Sequence, residues 1–226
     1  MKITWLGQAG LLLETNNTKI IVDPYLSDSV EEIEPHNKRR VPVDTRFLEI
    51  KPDIIVLTHN HLDHTDPETL MHYLNPDSQI CVLASYNAWQ TVRKFGGIKN
   101  NYVMFNRGTM WTHNGIVLKA VYAEHSDLYS VGVIIEAEGK KYYITGDTLY
   151  NQKILEDLPS DIDYVFLPIN GRGNNMNMAD AAKFCEQIKA RAIPLHCGLF
   201  DELDVNDFSY ERKIVPAFYK EIELKE

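Results

Sequence analysis

The stretch Asp53-Ile54-Ile55-Val56-Leu57-Thr58-His59-Asn60-His61-Leu62-Asp63-His64-Thr65-Asp66-Pro67 decides how this chain is read. Its opening is a continuous apolar run, the pattern of a strand buried on both faces. Its close is a helix start. Asp66 suits the N-cap, and Pro67 suits the first helical position, where a missing N–H leaves nothing unpaired. Between them stand three imidazoles and one carboxylate within six residues. His59 and His61 are two apart, so an extended loop turns both rings to one side. Asp63 and His64 follow as the chain bends into the helix and can address a second point nearby. Sites in α/β sheets form past the carboxyl ends of strands. Neutral imidazole with carboxylate suits zinc, and also manganese or iron.

Outward from that loop the chain repeats itself. Lys2–Leu6, Gly10–Glu14 and Thr18–Val22 read as a meander, with Asn16-Asn17 as a turn pair that tolerates positive φ. A second meander follows at Ile116–Tyr122, Val131–Glu136 and Lys141–Thr145, turned by Glu138-Gly139. Lys19–Pro24 and Lys141–Asp147 are both strands that end in an Asp, and Asp53–His59 matches Asp163–Ile169. A helix is expected in each half. One starts at Asp66; the other is capped by Asn177, with Asp180 at its positive end and Ala181, Phe184, Cys185 and Ile188 as one apolar stripe. A further helix is expected from Ser85 to Phe95, stopped by Gly96-Gly97. Two packed sheets with helices outside satisfy this order: an α/β fold of two pseudo-duplicated halves. With no linker or low-complexity tract, residues 1–226 read as one domain.

One loop cannot fill two coordination shells, and other strand ends offer donors. His125 follows the strand Ile116–Tyr122, Asp147 follows the next hairpin, and His196 follows a short strand at Ala192–Leu195. A carboxylate such as Asp147 has two oxygens and can bridge two cations. His36, His72 and His113 lack strand-end placement and read as surface residues, and Cys197 reads as a buried thiol beside His196. Asp23 is either a turn residue before Pro24 or the group that holds a ligand imidazole in place. Arg172, between Gly171 and Gly173 after a strand end, suits bidentate binding of a carboxylate or phosphate, and Asn170 adds a neutral donor. The long segment Ser27–Asp44 has the length of a lid; its run Lys38-Arg39-Arg40 reads as a solvated charged loop, with a lid that meets an anionic substrate as the alternative.

Composition narrows the classes. Lys+Arg is 23 and Asp+Glu is 32, a formal net charge of −9, which repels phosphate backbones and disfavours nucleic-acid polymers. Apolar residues are 44% and charged residues 24%, which fits a globular chain rather than a disordered one. No apolar run approaches the roughly 18 residues that span a bilayer, so no membrane partner is expected. Met1–Gly7 does not read as a signal peptide, and the 3 cysteines fit thiols in a reducing cytosol, so the expected place is cytoplasmic. Phe208, Tyr210, Phe218 and Tyr219 read as exposed aromatics that leave room for an oligomer.

The His-x-His-x-Asp-His signature at His59, His61, Asp63 and His64, followed in order by His125, Asp147 and His196, resembles the metallo-β-lactamase superfamily. The resemblance covers nearly the whole chain and implies an αββα four-layer sandwich with a binuclear site at the sheet edge. It implies that His59, His61 and His125 hold one divalent metal ion, Zn2+ or Mn2+, that Asp63, His64 and His196 hold another, and that Asp147 bridges. Asp63 and Asp147 would then be catalytic. Flavodiiron oxidoreductases of this fold carry Glu where this chain has His61, so the resemblance points to hydrolysis rather than redox chemistry. Phe166–Gly173 with Asn174–Asn177, and Gly7-Gln8-Ala9-Gly10 with Asp23-Pro24-Tyr25, resemble the L-ascorbate-6-phosphate lactonase family, although this chain is shorter and its loop after Arg172 is trimmed. The implied activity is hydrolysis of a small anionic ester or lactone, such as a phosphorylated sugar lactone, by a metal-bridging hydroxide. The substrate would contact Asn170 and Arg172. The alternative is a small phosphodiesterase of the same fold.

Overall fold

The computed structural model describes residues 1–224. The first meander is β1 (Lys2–Gly7), β2 (Gly10–Thr15) and β3 (Thr18–Val22), antiparallel throughout. Asn16 and Asn17 turn it at φ 49° and 55°, as a tight two-residue hairpin loop requires. A short helix, α1 (Ser29–Ile33), and a 3-10 turn at Thr45–Glu49 precede β4 (Ile54–Leu57). Then come α2 (Pro67–Tyr73), β5 (Cys81–Ala84), α3 (Tyr86–Val92) and β6 (Asn101–Met104).

The second half opens with β7 (Met110–His113), β8 (Ile116–Tyr122), β9 (Val131–Ala137) and β10 (Lys140–Ile144), again antiparallel. Helix α4 (Lys153–Glu156), β11 (Tyr164–Pro168), α5 (Met178–Ile188) and β12 (Arg191–Leu195) complete it.

Each half forms its own six-stranded sheet, ordered β1 to β6 and β12 to β7. Strands β3-β4-β5 and β10-β11-β12 pair in parallel, each after an antiparallel meander. The duplication expected from the sequence is therefore present, with β1–β5 matching β8–β12. Edge strands β6 and β7 are additions, as are α1 and α4.

One apolar cluster fills the space between the sheets, with Trp5, Leu13, Val56 and Leu83 from the first and Leu118, Val133, Ile144 and Phe166 from the second. Helices α2 and α3 cover the outer face of the first sheet through Leu70, Tyr73 and Ala88. Helix α5 covers the second through Ala181, Phe184 and Cys185, the stripe read from the sequence. This is the αββα arrangement.

The helix caps follow local chemistry. The Asp66 carboxylate accepts from the amides of Glu68 and Thr69, and Asn177 accepts from the amide of Asp180. Helix α3 is shorter than expected, because residues after Val92 tighten into i→i−3 bonds from Lys94 N to Thr91 O and from Phe95 N to Val92 O. A Cβ at Gly97 would lie 2.2 Å from the Asn75 carbonyl oxygen, so a glycine is needed where these two loops meet.

Two expectations need correction. Lys38-Arg39-Arg40 does not face the site. Arg39 is buried, donating to the carbonyls of Tyr25 at 3.1 Å and Val41 at 3.2 Å and to the Tyr219 hydroxyl at 2.7 Å. Lys38 pairs with Glu31 and Arg40 with Glu202. The aromatics near the C-terminus are also not free. Phe208 is fully buried, Phe218 stacks on Trp5 at 4.2 Å, and Tyr219 stacks on Phe47 at 5.7 Å. The Tyr210 hydroxyl donates to the carbonyls of Cys185 and Ala190. Their segment instead closes the edge of β1, through Trp5 N to Lys220 O, Tyr219 N to Trp5 O and Ile222 N to Ile3 O. Among the described residues no helix is long and apolar enough to cross a membrane.

Candidate metal centre

The carboxyl ends of six strands converge. β4 delivers His59, His61, Asp63 and His64; β3 delivers Asp23, β8 His125, β10 Asp147 and β12 His196. β11 is followed by Asn170. Parallel pairing of β3 with β4 and of β10 with β11 and β12 brings these ends to one edge.

Donor atoms of His59, His61, His125 and Asp147 lie within 4.8 Å of one another, as do those of Asp63, His64 and His196. All seven residues singled out in the sequence are therefore brought together, in two groups. Asp147 touches both. It belongs to the first, while its Oδ1 lies 3.3 Å from His64 Nε2 and its Oδ2 lies 3.2 Å from His196 Nε2. Between the rings, His61 Nδ1 and His125 Nε2 are 3.1 Å apart, and His64 Nε2 and His196 Nε2 are 3.3 Å apart.

These donors fit a divalent metal. His59 Nε2 is buried without a hydrogen-bond partner among the described residues, and Asp147 Oδ1 meets the His64 ring. Buried polar atoms are costly when unpaired, and nitrogen and oxygen lone pairs collected this densely are relieved by a cation.

A third group, Asp23, His59 and His64, serves differently. Asp23 Oδ1 accepts from the Thr58 amide at 2.8 Å, and its Oδ2 accepts from the Thr58 hydroxyl at 2.5 Å. Oδ2 also lies 2.9 Å from His64 Nδ1. With both oxygens occupied, Asp23 orients the His64 ring and leaves Nε2 to face the cluster, the second of the two roles read from the sequence.

Charge follows this layout. Burial holds the His59 imidazole well below its usual range, reinforced by neighbouring His64, and burial also lowers His125. For His196 burial lowers the pKa, but Asp147 and Asp63 outweigh it and raise the group to about 9. His64 is likewise raised well above 6.5 against its burial by Asp147, Asp63 and Asp23. Burial would raise Asp63 and Asp147, yet His64 and His196 hold both carboxyls below the usual carboxylate range. His59 and His125 are thus neutral, ready to donate lone pairs, while His64 and His196 carry protons that a cation would displace.

Three residues not singled out from the sequence belong to the site. Gln8, past the end of β1, is buried; its Nε2 donates to Asp63 Oδ2 at 2.8 Å and lies 3.2 Å from His196 Nε2. The available signal was a lone polar side chain inside Gly7-Gln8-Ala9-Gly10 at a strand end. Asn175 Nδ2 donates to Asp147 Oδ2 at 2.9 Å. His36, exposed as expected, nevertheless lines the cavity above the cluster. Gln8, Asp23 and His196 all adopt positive φ, at 48°, 42° and 56°. Such strain costs about 1–3 kcal/mol per residue and collects at functional sites.

The cavity measures about 490 Å³ and reaches from Asp63, Asp147 and His196 up to Arg172. Arg172 is exposed at its rim, and its guanidinium has no partner among the described residues. Asn170 Nδ2 lies 3.0 Å from His196 Nδ1, so it acts on that ring. Cys197 is buried, and burial pushes its thiol up to about 12, which makes it a packing residue. His72 is exposed on α2 and His113 is half-buried on β7, both outside the cavity.

Comparison with known proteins agrees with this geometry. Residues 2–196 match the family model described as the beta-lactamase superfamily domain. A UPF0173 metal-dependent hydrolase from Saccharolobus solfataricus is 32% identical, covering 92% of this chain and 89% of its own length. Another from Sulfurisphaera tokodaii is 28% identical over 99% of this chain and 96% of its own. Igni18, a metallo hydrolase from Ignicoccus hospitalis, has the same fold, with a TM-score of 0.72, 20% identity and 99% of each chain covered. With candidate metal clusters at its strand ends, the chain belongs to the metallo-β-lactamase superfamily and, within it, to the UPF0173 family of metal-dependent hydrolases.

Proposed function

We propose that the two groups hold one divalent cation each, zinc or manganese, and that the pair serves hydrolysis of a small ester or lactone bearing an anionic group. His59, His61 and His125 would hold the first cation and Asp63, His64 and His196 the second, with Asp147 placed where it would serve both. The observation that carries this reading is the place of Asp147, a member of the first group with its oxygens 3.3 Å and 3.2 Å from His64 and His196 of the second. The phosphorylated sugar lactones of the L-ascorbate-6-phosphate lactonase family are the substrate kind suggested by the motifs around Gln8 and Arg172.

Bound cations of this kind lower the pKa of water towards about 7 and polarise a carbonyl under attack. The chain's own residues do the rest. Asp23 fixes His64 through Nδ1, and Asn175 fixes Asp147 through Oδ2. Gln8 and Asn170 hold Asp63 and His196. Asp63, kept ionised by its histidine neighbours, is too weak a base to activate water itself; it would help hold the second cation and sit where a proton passes to the leaving oxygen. Arg172, at the rim, pairs with the anionic end of the substrate.

A cavity of about 490 Å³ suits a small molecule rather than a polymer. The free cysteines support a reducing, cytoplasmic setting. Turnover of a panel of lactones and carboxylate-bearing esters, beside bis-p-nitrophenyl phosphate, by the zinc- and manganese-loaded protein tests the reading. Lactones or esters are expected to be cleaved fastest. Faster cleavage of the phosphodiester favours a phosphodiesterase, and no turnover of any of them rejects hydrolysis at this site.

A further inference from the structure

The cavity above the clusters is not polar throughout. Val30 and Ile33 of α1, Leu62 of the histidine loop and Phe200 all line it. Val30, Leu62 and Phe200 pack with Tyr25 and Leu199 into one apolar cluster beneath that wall. Ile33 stands outside the cluster and is 72% exposed, a large aliphatic side chain presented to the cavity by a helix that gives it nothing to pack on. Exposing it forfeits burial that a ligand covering it would recover.

The acidic residues of the cavity do not compete for this role. Glu34 Oε2 accepts from Asn37 Nδ2 at 2.6 Å. Asp201 Oδ1 accepts from the amides of Gly198 at 2.8 Å and Leu203 at 3.0 Å. Each has one oxygen held in a local turn. For a ligand the cavity offers the unpaired guanidinium of Arg172, His36, the donors of the clusters and the apolar wall. Ligand pockets commonly combine an apolar lining with a few placed polar groups.

We infer that the substrate is amphiphilic, with a compact aliphatic or aromatic group seated on Ile33, Val30, Leu62 and Phe200 and its anionic end at Arg172. This rests on the hydrolase reading above and narrows it away from the sugar lactones. A fully hydroxylated sugar leaves Ile33 unpaired, whereas a short acyl or aryl group covers it.

Two measurements on the zinc-loaded protein separate this inference from the reading it rests on. Calorimetry follows the binding of acetate, butanoate and hexanoate, and hydrolysis is followed on the matching p-nitrophenyl esters. Binding is expected to tighten at least about tenfold from acetate to hexanoate, since each buried methylene contributes severalfold. Ile33→Gln is expected to cut that ratio about threefold or more, while Met110→Gln, an exposed apolar residue on β7 outside the cavity, leaves it intact. Binding that ignores chain length, or a ratio unchanged in Ile33→Gln, overturns the amphiphilic substrate even if the esters are cleaved. Binding that climbs with chain length and falls in Ile33→Gln supports the wall, even if absent turnover sinks the hydrolase reading.

Discussion

Gln8 and Asp63, 55 residues apart, meet across the site, with Gln8 Nε2 donating to Asp63 Oδ2 at 2.8 Å. The bond ties the end of β1 to the histidine loop, and it holds one oxygen of a carboxylate that is packed against two histidines. The Gln8 backbone is fixed in turn, since its carbonyl accepts from the Trp5 indole at 2.9 Å and from the His196 amide at 3.0 Å. Outer partners of this kind are worth about 10- to 100-fold in metal affinity or activity. Gln8→Ala is expected to lower kcat/KM by about tenfold or more, mainly in kcat. Gln8→Glu, which sets a carboxylate against Asp63, is expected to be worse. Steady-state kinetics on whichever ester is cleaved fastest checks both, and wild-type rates in Gln8→Ala would show that the bond is idle.

Asp23 accepts from the Thr58 amide and hydroxyl and contacts His64 Nδ1. Asp23→Asn keeps the side-chain shape but cannot satisfy all three. Metal affinity, followed by competition with a chromophoric chelator, is expected to fall about 10- to 100-fold. Unchanged affinity would mean that the His64 ring needs no support.

Arg172 is exposed at the rim of the cavity, without a partner among the described residues. Arg172→Ala is therefore expected to leave stability within about 0.5 kcal/mol and to raise KM about tenfold for anionic substrates. Neutral esters are expected to be little affected. Equal loss on both substrate kinds in paired KM measurements would contradict a charge-pairing role.

The protonation pattern gives a pH dependence for the metal-free protein. His196 is raised from 6.5 to about 9 by Asp147 and Asp63 against its burial, and His64 is raised in the same direction. A group whose pKa is higher in the fold contributes stability that is fully present below about 6.5 and is lost as pH rises through about 9. Asp63 and Asp147 are lowered, so their contribution is present above the ordinary 3.8 and disappears on strong acidification. The Tm of metal-stripped protein is expected to fall steadily between pH 6.5 and 9, while the metal-loaded protein holds its Tm because cations replace the protons. A flat profile for the stripped protein would contradict the proton pairing.

Gly146 sits directly before Asp147 at φ 61°, and a Cβ there would lie 2.9 Å from Val131 O and 3.1 Å from the Thr58 Cβ. Gly146→Ala is expected to cost more than about 2 kcal/mol, from left-handed strain and the close contact together. It is also expected to weaken metal binding by shifting Asp147. Denaturant unfolding measures the first effect and chelator competition the second.

The candidate metal cluster is legible because four of its seven candidate donors are local. His59, His61, Asp63 and His64 share one strand-loop-helix unit whose geometry is set by its own residues. His125, Asp147 and His196 were legible as strand ends, since the alternation of apolar runs shows where strands stop. Gln8 and Asn175 were not, because a glutamine or asparagine in a loop has no intrinsic preference for a site. Their roles arise only when β1 and the loop after β11 are folded beside β4 and β10. The basic run misled for a related reason. Charge at Arg39 suggested exposure, yet the Tyr25 carbonyl and Tyr219 hydroxyl, distant in sequence, give the guanidinium buried partners. Phe218 and Tyr219 similarly found cover on Trp5 and Phe47 within the same chain.

The most direct measurement is metal content by inductively coupled plasma mass spectrometry on wild-type protein and Asp147→Ala, each loaded with excess zinc and desalted. If Asp147 serves both groups, the wild-type chain retains two equivalents and the variant loses the greater part of both. A variant that still holds two equivalents, or a wild-type chain that never exceeds one, would contradict the shared carboxylate on which the account depends.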